Sequence, residues 1–414
     1  MSRLATTLTP AGQRHLRAGH PWIYADSIER VKGEGRAGDL AVVFDRRTDR
    51  FAGVGLYDPD SPIRIKVLHV GRPVRIDAAF FAEVVARAFA LRAPLLATDT
   101  DAYRLLNGEN DGTPGLIADV YAGVLVVKVY SLAWGPWLDV VADALAEVSG
   151  AGAVVLRLSR AVQRAEDLPE GWADGAVLRG ALPDPEVIFR EHGVALRANV
   201  LDGHKTGFFL DHRDNRRRVG AACAKRRHPE TRSWRGDRHT APATVLDVFS
   251  YAGGFAAHAL VGGAAEVTCL DISRQALDLA EENAHLNLAD PPLRMIAGDA
   301  FGEMARLAAA GRRFDIVVVD PPSFAKRAAE VEGALRAYRR LTRLALPLVA
   351  PGGLLLLASC SARVPAEDFY ALQLGELGRS GRGFTEVART AHDVDHPVTF
   401  AEGAYLKSLY VRLA

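Results

Sequence analysis

Cysteine and lysine are scarce in this sequence, and each scarcity excludes a class of protein. Three cysteines among 414 residues rule out a disulfide framework and favour a reducing compartment, for which we predict the cytoplasm. Only seven of the 51 basic residues are lysine, and the others are arginine. The formal net charge is +1, so the chain as a whole is not a polycation, and affinity for nucleic acid must come from local basic patches.

Long apolar runs are also missing. Residues 1–10 have no apolar core long enough for a signal peptide, and no run approaches the ~18 residues of a membrane-spanning helix. We therefore expect neither a leader nor a membrane partner. Hydrophobic residues still make up 49% of the chain, enough for packed cores, and a prior of ~150 residues per domain predicts about three domains.

Strand patterns dominate the N-terminal part of the chain. Three short apolar runs separated by Asp- and Pro-containing turns predict a small barrel or sandwich: Leu40–Phe44, Phe51–Tyr57 and Ile63–Leu68. A helix is predicted from a cap at Asp77 to residue 93. A small α/β layer is predicted next, with strands at Leu116–Tyr121, Val124–Tyr130 and Val154–Leu158 and a helix at Asp139–Val148.

Strands and helices alternate in the C-terminal half. Strands are predicted at Thr244–Phe249, Glu266–Leu270, Arg294–Ala297, Phe314–Val319 and Gly353–Ala358, with helical segments between them. Such alternation predicts a parallel, doubly wound sheet. We therefore predict an α/β protein of three domains, with limits at 1–73, 74–185 and 186–414.

A glycine-containing turn follows the first of these strands. Residues 247–255 read Asp-Val-Phe-Ser-Tyr-Ala-Gly-Gly-Phe. Glycine there lets the backbone approach a ligand at the carboxyl end of the strand, which is the usual crevice of open α/β sheets. The Gly-x-Gly-x-x-Gly spacing of dinucleotide-binding proteins is absent, which argues against NAD.

Carboxylates stand at or near the ends of four successive strands, at Asp247, Asp271, Asp299 and Asp320. A single such acid is commonly a helix cap. Asp271 has the position of the acid that binds ribose hydroxyls, and Asp299 is placed to reach an adenine amine. Four acids around a glycine-containing turn describe a nucleoside pocket that binds no pyrophosphate, which suits S-adenosylmethionine (SAM) without a metal.

The loop after the fourth strand reads Asp-Pro-Pro-Ser-Phe, residues 320–324, and Cys360 stands at the end of the neighbouring strand. The Asp320 carboxylate can accept a hydrogen bond from a ring amine, the prolines fix the backbone, and Phe324 offers a ring for stacking. Methylation of a pyrimidine carbon requires this loop together with a nucleophile such as Cys360. Methylation of an exocyclic amine requires the loop alone.

Five segments resemble the RlmI-type ribosomal RNA large-subunit cytosine-5 methyltransferases: Lys205–Arg216, Gly108–Ile117, Asp320–Phe324, Ser359–Ser361 and His396–Lys407. The similarity spans nearly the whole chain, and the Lys-Thr-Gly-Phe segment at 205–208 is its most specific part. It implies an N-terminal PUA domain that binds RNA, an α/β middle domain, a Rossmann-like methyltransferase domain and a homodimer.

With that resemblance, Cys360 is predicted to add to cytosine carbon 6, Asp320 to accept from the cytosine amine, and Phe324 or Tyr251 to stack on a flipped base. Ser323 follows the two prolines where many cytosine-5 enzymes carry a second cysteine, so a single-cysteine mechanism is required. The predicted cofactor-binding residues are Asp211, Phe249, Ser250, Tyr251, Gly253, Asp271, Ile272, Asp299, Ala300 and Asp320.

The sequence departs from the family pattern in two places. His212 stands where a glutamine is expected, and residues 224–242 resemble an insertion. The basic region runs from His212 to Arg238, with ten Arg or Lys residues against three Asp or Glu, and it either tracks RNA phosphates or forms a surface loop without contacts. Of the other cysteines, Cys269 is predicted to be buried, and Cys223, beside Lys225 and Arg226, is a minor candidate for a lowered pKa and some reactivity.

Three alternatives stay open at this point. The same Asp-Pro-Pro-Phe loop also suits guanine N-methylation of RNA, with Cys360 structural. A second alternative is a non-catalytic RNA-binding assembly factor whose N-terminal barrel acts alone. A small-molecule methyltransferase is less consistent with two accessory domains.

Overall fold

A computed structural model describes residues 2–227 and 241–414. By contact density the chain divides into two compact units. The first runs up to Arg190 and also includes Arg197–Leu210 and Val394–Gly403, whereas the second comprises Glu191–Leu196, Asp211–Asp393 and Ala404–Ala414. In the described part of the chain, no helix is long and apolar enough to cross a membrane.

The first unit begins with a six-stranded sheet in the order β2-β6-β5-β4-β1-β3. Its elements are β1 (Arg3–Leu8), α1 (Pro10–Arg17), β2 (Trp22–Tyr24), β3 (Ile28–Lys32), β4 (Leu40–Phe44), β5 (Phe51–Tyr57) and β6 (Ile63–Val70). All pairs are antiparallel except β1 with β4. Both faces are covered, because Ala41 and Val43 pack into one core while Leu40 and Leu56 pack into another. The three strands predicted here are confirmed.

A five-stranded sheet, β11-β10-β9-β8-β7, follows in the same unit. Its elements are α2 (Ala78–Leu96), β7 (Ala102–Asn107), β8 (Leu116–Tyr121), β9 (Val124–Val129), α3 (Leu138–Ser149), β10 (Ala153–Leu158), α4 (Arg160–Gln163) and β11 (Val177–Gly180). Asp77 caps α2 by accepting from the amide of Phe80, as predicted. One hydrophobic core includes residues of both the six-stranded and the five-stranded sheet, and both sheets belong to the first compact unit. The predicted domain limits at residues 73 and 185 therefore stay predictions.

Strands β12 (Glu186–Glu191) and β13 (Val194–Asn199) form a two-stranded sheet, and the second unit is built on a seven-stranded sheet in the order β16-β15-β14-β17-β18-β20-β19. The strands of the large sheet are β14 (Thr244–Val248), β15 (Glu266–Asp271), β16 (Leu293–Ala297), β17 (Phe314–Val319), β18 (Val349–Ser359), β19 (Phe384–Thr390) and β20 (Lys407–Leu413). The helices are α5 (Arg213–Arg227), α6 (Gly254–Val261), α7 (Arg274–His285), α8 (Ala300–Ala309), α9 (Val331–Ala345) and α10 (Ala366–Arg379).

Both faces of this sheet are buried. Along β17, Ile316 and Val318 pack into the core that includes residues of α5, α6 and α7, whereas Val317 and Val319 pack into the core that includes residues of α8, α9 and α10. This arrangement confirms the doubly wound prediction. The five strands that the sequence predicts, β14 to β18, pair in parallel, and two strands that it does not predict extend the sheet: β20 is antiparallel to both β18 and β19. An antiparallel edge is common on such sheets.

Arginines at the start of the basic region are committed to ion pairs within the second unit. Arg213 contacts Asp393 at 3.1 Å, and Arg226 contacts Asp315 at 2.7 Å. Residues 224–227 belong to α5 rather than to a loop, whereas 228–240, the rest of the predicted insertion apart from its last two residues, lie outside the described residues. That the basic region binds RNA phosphates stays a prediction. Arg213 and Arg226 would not contribute to it, because both already pair with carboxylates.

Glu191 is a buried carboxylate of this unit with several basic partners. It is fully buried and receives two hydrogen bonds from Arg216, at 2.6 and 2.8 Å, with Arg213 at 4.0 Å and His258 at 3.5 Å. Burial alone would raise the pKa of Glu191, but Arg216, His258 and Arg213 lower it to about 2. Glu191 therefore connects the start of α5, through Arg213 and Arg216, to α6, through His258.

Glu191→Gln is predicted to lower the free energy of unfolding by roughly 3–5 kcal/mol at pH 7, because it leaves buried arginine charge uncompensated. The folded-state pKa lies below the ordinary value of 4.5, so the contribution is present above 4.5 and is lost as the pH falls towards about 2. Urea titrations of both proteins between pH 7 and pH 3 measure this. The control is Glu386→Gln, which breaks a surface pair with Arg389 and should cost less than ~1 kcal/mol. A constant difference between wild type and Glu191→Gln across this range contradicts the assignment.

Candidate active site

The candidate site lies at one edge of the seven-stranded sheet, where the parallel strands end. Val248 is paired with both Leu270 and Val319, and Asp271 is paired with Ala297, so β16, β15, β14 and β17 end at the same level. The carboxyl ends of parallel strands form the ligand crevice of open α/β sheets. The structure thus brings together Asp271, Asp299 and Asp320, as the sequence predicts.

The turn after β14 has an unusual backbone. Phe249, Tyr251 and Gly253 have φ angles of 63°, 47° and 68°, in the left-handed region that side chains other than glycine rarely adopt. The amide of Phe249 donates to the carbonyl of Leu270 at 2.8 Å. A Cβ at position 253 would lie 2.6 Å from Cβ of Ala280, so only glycine fits there. Backbone strain of this kind is concentrated at ligand-binding turns.

Asp271 holds this turn and still faces solvent in part. Its carboxylate accepts from the amides of Tyr251 and Ser273, both at 2.9 Å. Carboxylate oxygens have further lone pairs, so two vicinal hydroxyls can still bind to it. The next side chain, Ile272, is 77% exposed and offers an apolar surface beside the carboxylate. A carboxylate and an apolar side chain at a strand end fit an adenosine group.

Asp299 and Asp247 differ from Asp271. Asp299 is exposed and caps α8, whose first residue is the buried Ala300, by accepting from the amide of Gly302 at 2.9 Å. Asp247 lies inside β14 and is 1% exposed. Burial, assisted by the charges of Asp320 and Asp271, raises the pKa of Asp247 to about 8. Asp247 therefore adds little negative charge to the crevice at neutral pH.

Asp320 ends a chain of buried polar groups. Its Oδ1 lies 3.3 Å from Nε2 of His212, whose Nδ1 lies 3.0 Å from the side-chain nitrogen of Asn215. The Asn215 oxygen accepts from the hydroxyls of Tyr410 (2.9 Å) and Thr390 (2.6 Å), which turns its NH2 group towards His212. In that orientation Nδ1 is an acceptor and Nε2 carries the ring hydrogen, with Oδ1 of Asp320 3.3 Å away.

Burial lowers the pKa of His212, but the charges of Asp320 and Asp211 outweigh it and raise the pKa overall. Nε2 therefore carries its hydrogen whether the ring is neutral or charged. The adjacent Asp211 is 4% exposed and accepts from the hydroxyl of Tyr405 at 2.9 Å. The departure from the expected glutamine at 212 thus falls on a residue in direct contact with Asp320.

Cys360 follows β18 and adjoins the Asp-Pro-Pro loop. Its Sγ lies 3.8 Å from the carbonyl oxygen of Pro321. Hydroxyls join the two loops, since Ser361 contacts Ser323 at 3.1 Å and Tyr338 at 2.9 Å. The thiol is partly exposed, as a nucleophile must be. The structure therefore places the thiol and the Asp320 loop side by side.

The remaining aromatic and sulfur groups are more buried. Phe324 packs against Tyr338, with ring centroids 5.3 Å apart, and Phe324 itself is partly exposed. Cys269 is buried in the core, as predicted. The expectation for Cys223 was wrong: the side chain is buried, and burial raises the pKa of the thiol to about 12 in spite of Arg226. Arg226 is paired with Asp315 instead.

Comparisons with known proteins agree with this geometry. A model of a PUA-like domain matches residues 7–69, and a model of SAM-dependent methyltransferases matches residues 104–412. The chain is 45% identical to a ribosomal RNA large subunit methyltransferase of Deinococcus radiodurans, over 99% of this chain and 98% of the relative. It is 34% identical to ribosomal RNA large subunit methyltransferase I of Aeromonas salmonicida, over 98% of each chain.

Solved structures share the fold. A SAM-dependent methyltransferase from Streptococcus mutans superposes over 100% of both chains with a TM-score of 0.78 and 20% identity. A second crystal structure of a methyltransferase, in complex with SAH, gives a TM-score of 0.79 over 100% of both chains and also 20% identity. With a PUA-like domain, a Rossmann-like methyltransferase domain and SAM as methyl donor, the chain belongs to the family of SAM-dependent methyltransferases that includes ribosomal RNA large subunit methyltransferase I.

Proposed function

We propose that this protein methylates carbon 5 of a cytosine in large-subunit ribosomal RNA through a covalent adduct with Cys360. The observation that carries the proposal is the partly exposed thiol of Cys360 next to the Asp-Pro-Pro loop. The names of the relatives support ribosomal RNA as the substrate. An RNA-binding role of the PUA-like domain, a homodimer and a cytoplasmic location belong to the same proposal.

The chemistry of the target carbon explains the need for a thiol. The Cys360 thiolate adds to carbon 6, and the ring electrons make carbon 5 nucleophilic. Bound SAM supplies the methyl group, so that a carbon–carbon bond forms as the sulfur–methyl bond breaks. Carbon 5 then loses its proton to solvent, and the bond between carbon 6 and sulfur breaks with its electrons returning to Cys360. Each step balances without an oxidant or a metal.

Asp320 has a separate part in this proposal. Its carboxylate accepts a hydrogen bond from the cytosine amine, which favours the protonated ring of the adduct. His212 holds one carboxylate oxygen and leaves the other for the base. Phe324 or Tyr251 stacks on the flipped base.

The cofactor residues proposed for SAM are those predicted from the sequence. Asp271 binds the ribose hydroxyls, Ile272 packs on the adenine ring, and Asp299 with the amide of Ala300 reaches the adenine edge. Phe249, Ser250, Tyr251 and Gly253 form the turn along the methionine part, and Asp211 lies at its far end. The partial exposure of Asp271 and Ile272 supports this order.

Guanine N-methylation by the same loop is the main rival. It would require Asp320 but no nucleophile, and Cys360 would then be a packing residue. The partial exposure of Cys360 favours the cytosine proposal, because a packing cysteine is usually buried, as Cys223 and Cys269 are. The alternative of a non-catalytic RNA-binding assembly factor is disfavoured, because such a protein would not need the acidic residues and the thiol that line the crevice.

Asp271→Asn is predicted to weaken SAM binding at least about tenfold, because a charge-assisted hydrogen bond to a ribose hydroxyl is lost, which costs roughly 1.5–3 kcal/mol. Isothermal titration calorimetry measures the change. Asparagine keeps one oxygen for the amide of Tyr251, so the turn is less disturbed than with Asp271→Ala. Asp278→Asn, on the exposed face of α7, is the control and should leave affinity unchanged. Equal affinity of wild type and Asp271→Asn would place the ribose elsewhere.

Cys360→Ala is predicted to retain SAM binding and to abolish methyl transfer, because nothing else activates carbon 5. RNA with 5-fluorocytidine at the target should trap the wild type as a covalent adduct on denaturing gels, since fluorine cannot leave as the proton does. Trapping should persist in Cys223→Ala and Cys269→Ala, whose thiols are buried. Retention of more than a few per cent of methylation by Cys360→Ala would favour the guanine rival instead.

His212→Leu is predicted to lower the rate of methyl transfer about 10- to 100-fold without a change in SAM affinity, because Asp320 loses a hydrogen bond to a charged oxygen. His212→Gln should restore most of the rate, since the glutamine amide also presents an N–H group. Single-turnover rates across pH 6–9 test this. Equal rates for the leucine and glutamine variants would show that position 212 only fills space.

A further inference from the structure

Lys407, the first residue of β20, lies directly beside the turn that carries Cys360. It is paired with Ser359 across the strands, and Cys360 is the next residue after Ser359. The side chain is only 1% exposed. Its ammonium group donates to three backbone carbonyls, those of Ser361 (2.5 Å), Val364 (2.7 Å) and Tyr405 (3.1 Å). The lysine therefore holds both sides of the Cys360 turn.

Hydrogen bonds satisfy this ammonium group, but its charge needs a counter-ion. Neutral carbonyls stabilise an ammonium group without cancelling its charge, and a buried charge is normally paired. In residues 2–227 and 241–414, no carboxylate forms an ion pair with Lys407. Burial lowers the pKa of Lys407 to about 8, and the negative charge of ionised Cys360 opposes this shift. Cys360 stands between Ser359, which is paired with Lys407, and Ser361, whose carbonyl accepts from the ammonium group, so ionisation of Cys360 would place an anion in the turn that this lysine holds.

We propose that Lys407 is the counter-ion of the Cys360 thiolate, a positioning residue that stabilises the ionised nucleophile before RNA binds. The inference rests on the proposed role of Cys360 as nucleophile. Ionisation transfers the thiol proton to solvent and leaves a thiolate beside an ammonium group, so the local charge is balanced. Only the thiolate adds to a pyrimidine ring, and a neighbouring cation increases its population.

Two other titratable groups lie close to the Cys360 turn, and neither is a cation. Tyr338, from α9, contacts Ser361, and burial raises the pKa of its hydroxyl further above neutrality. Asp320 precedes Pro321, whose carbonyl oxygen lies 3.8 Å from Sγ, and its carboxylate opposes formation of a second negative charge. The charge of Lys407 acts in the opposite direction and offsets that of Asp320.

Lys407→Gln separates charge from hydrogen bonding, because glutamine keeps an N–H donor for the carbonyls but carries no charge. We expect the rate of Cys360 alkylation by iodoacetamide, followed by peptide mass spectrometry, to fall about tenfold at pH 7 and its pH profile to move up by about one unit. Lys407→Arg should keep a profile close to wild type. Lys66→Gln, at a buried lysine paired with Asp58 in the first unit, is the control and should leave the profile unchanged.

Either of two results would overturn the inference. One is an unchanged alkylation profile in folded Lys407→Gln. The other is a thiolate fraction of Cys360, read from ultraviolet absorbance across the same pH range, that is equal in wild type and Lys407→Gln, because Asp320 acts equally on both proteins. Adduct trapping with 5-fluorocytidine RNA is independent of both. Trapping by wild type with an unchanged Lys407→Gln profile would refute only the role of Lys407, whereas failure of trapping would refute the proposed function.

Discussion

The parallel register of β14 to β18 is the constraint on which the candidate site depends. Because side-chain direction alternates along a strand, a slip of one residue would turn Val317 and Val319 from one core into the other. Because both faces of the sheet are buried, any shifted register would lose core packing and be less stable. The same register brings the ends of five strands to one edge, and hence Asp271, Asp320 and Cys360 into neighbouring loops. Hydrophobic packing on two faces thus positions polar chemistry at the edge.

Charge at this edge is arranged by burial as much as by pairing. Asp247 is buried with a raised pKa, which limits the negative charge next to Asp271 and Asp320. Asp320 has a hydrogen-bond donor in His212, which itself is oriented by Asn215. Lys407 donates to the carbonyl of Ser361 in the Cys360 turn. The crevice therefore has an anionic part near Asp271. In its other part, Asp320 lies next to His212, and the turn that carries Cys360 lies next to Lys407.

The local pattern of the sequence was enough to predict most of the strands and helices, because period and turn residues are local properties. The strands Leu40–Phe44 and Phe51–Tyr57 and the cap at Asp77 have the predicted positions. Strands β19 and β20 were not predicted at all, and short apolar runs do not encode strand direction in any case. Cys223 was misjudged because neighbours in sequence, such as Arg226, say little about burial, and burial dominates its pKa.

Pairings between distant residues account for the parts of the site that sequence alone did not predict. His212 was recognised only as a departure from a family pattern, although it contacts a residue 108 positions away. Lys407 was recognised only as part of a C-terminal motif, and its contacts with Ser361 and Val364 arise because β20 runs antiparallel to β18. The antiparallel strand β20 therefore brings a lysine to the turn that carries Cys360, the proposed nucleophile.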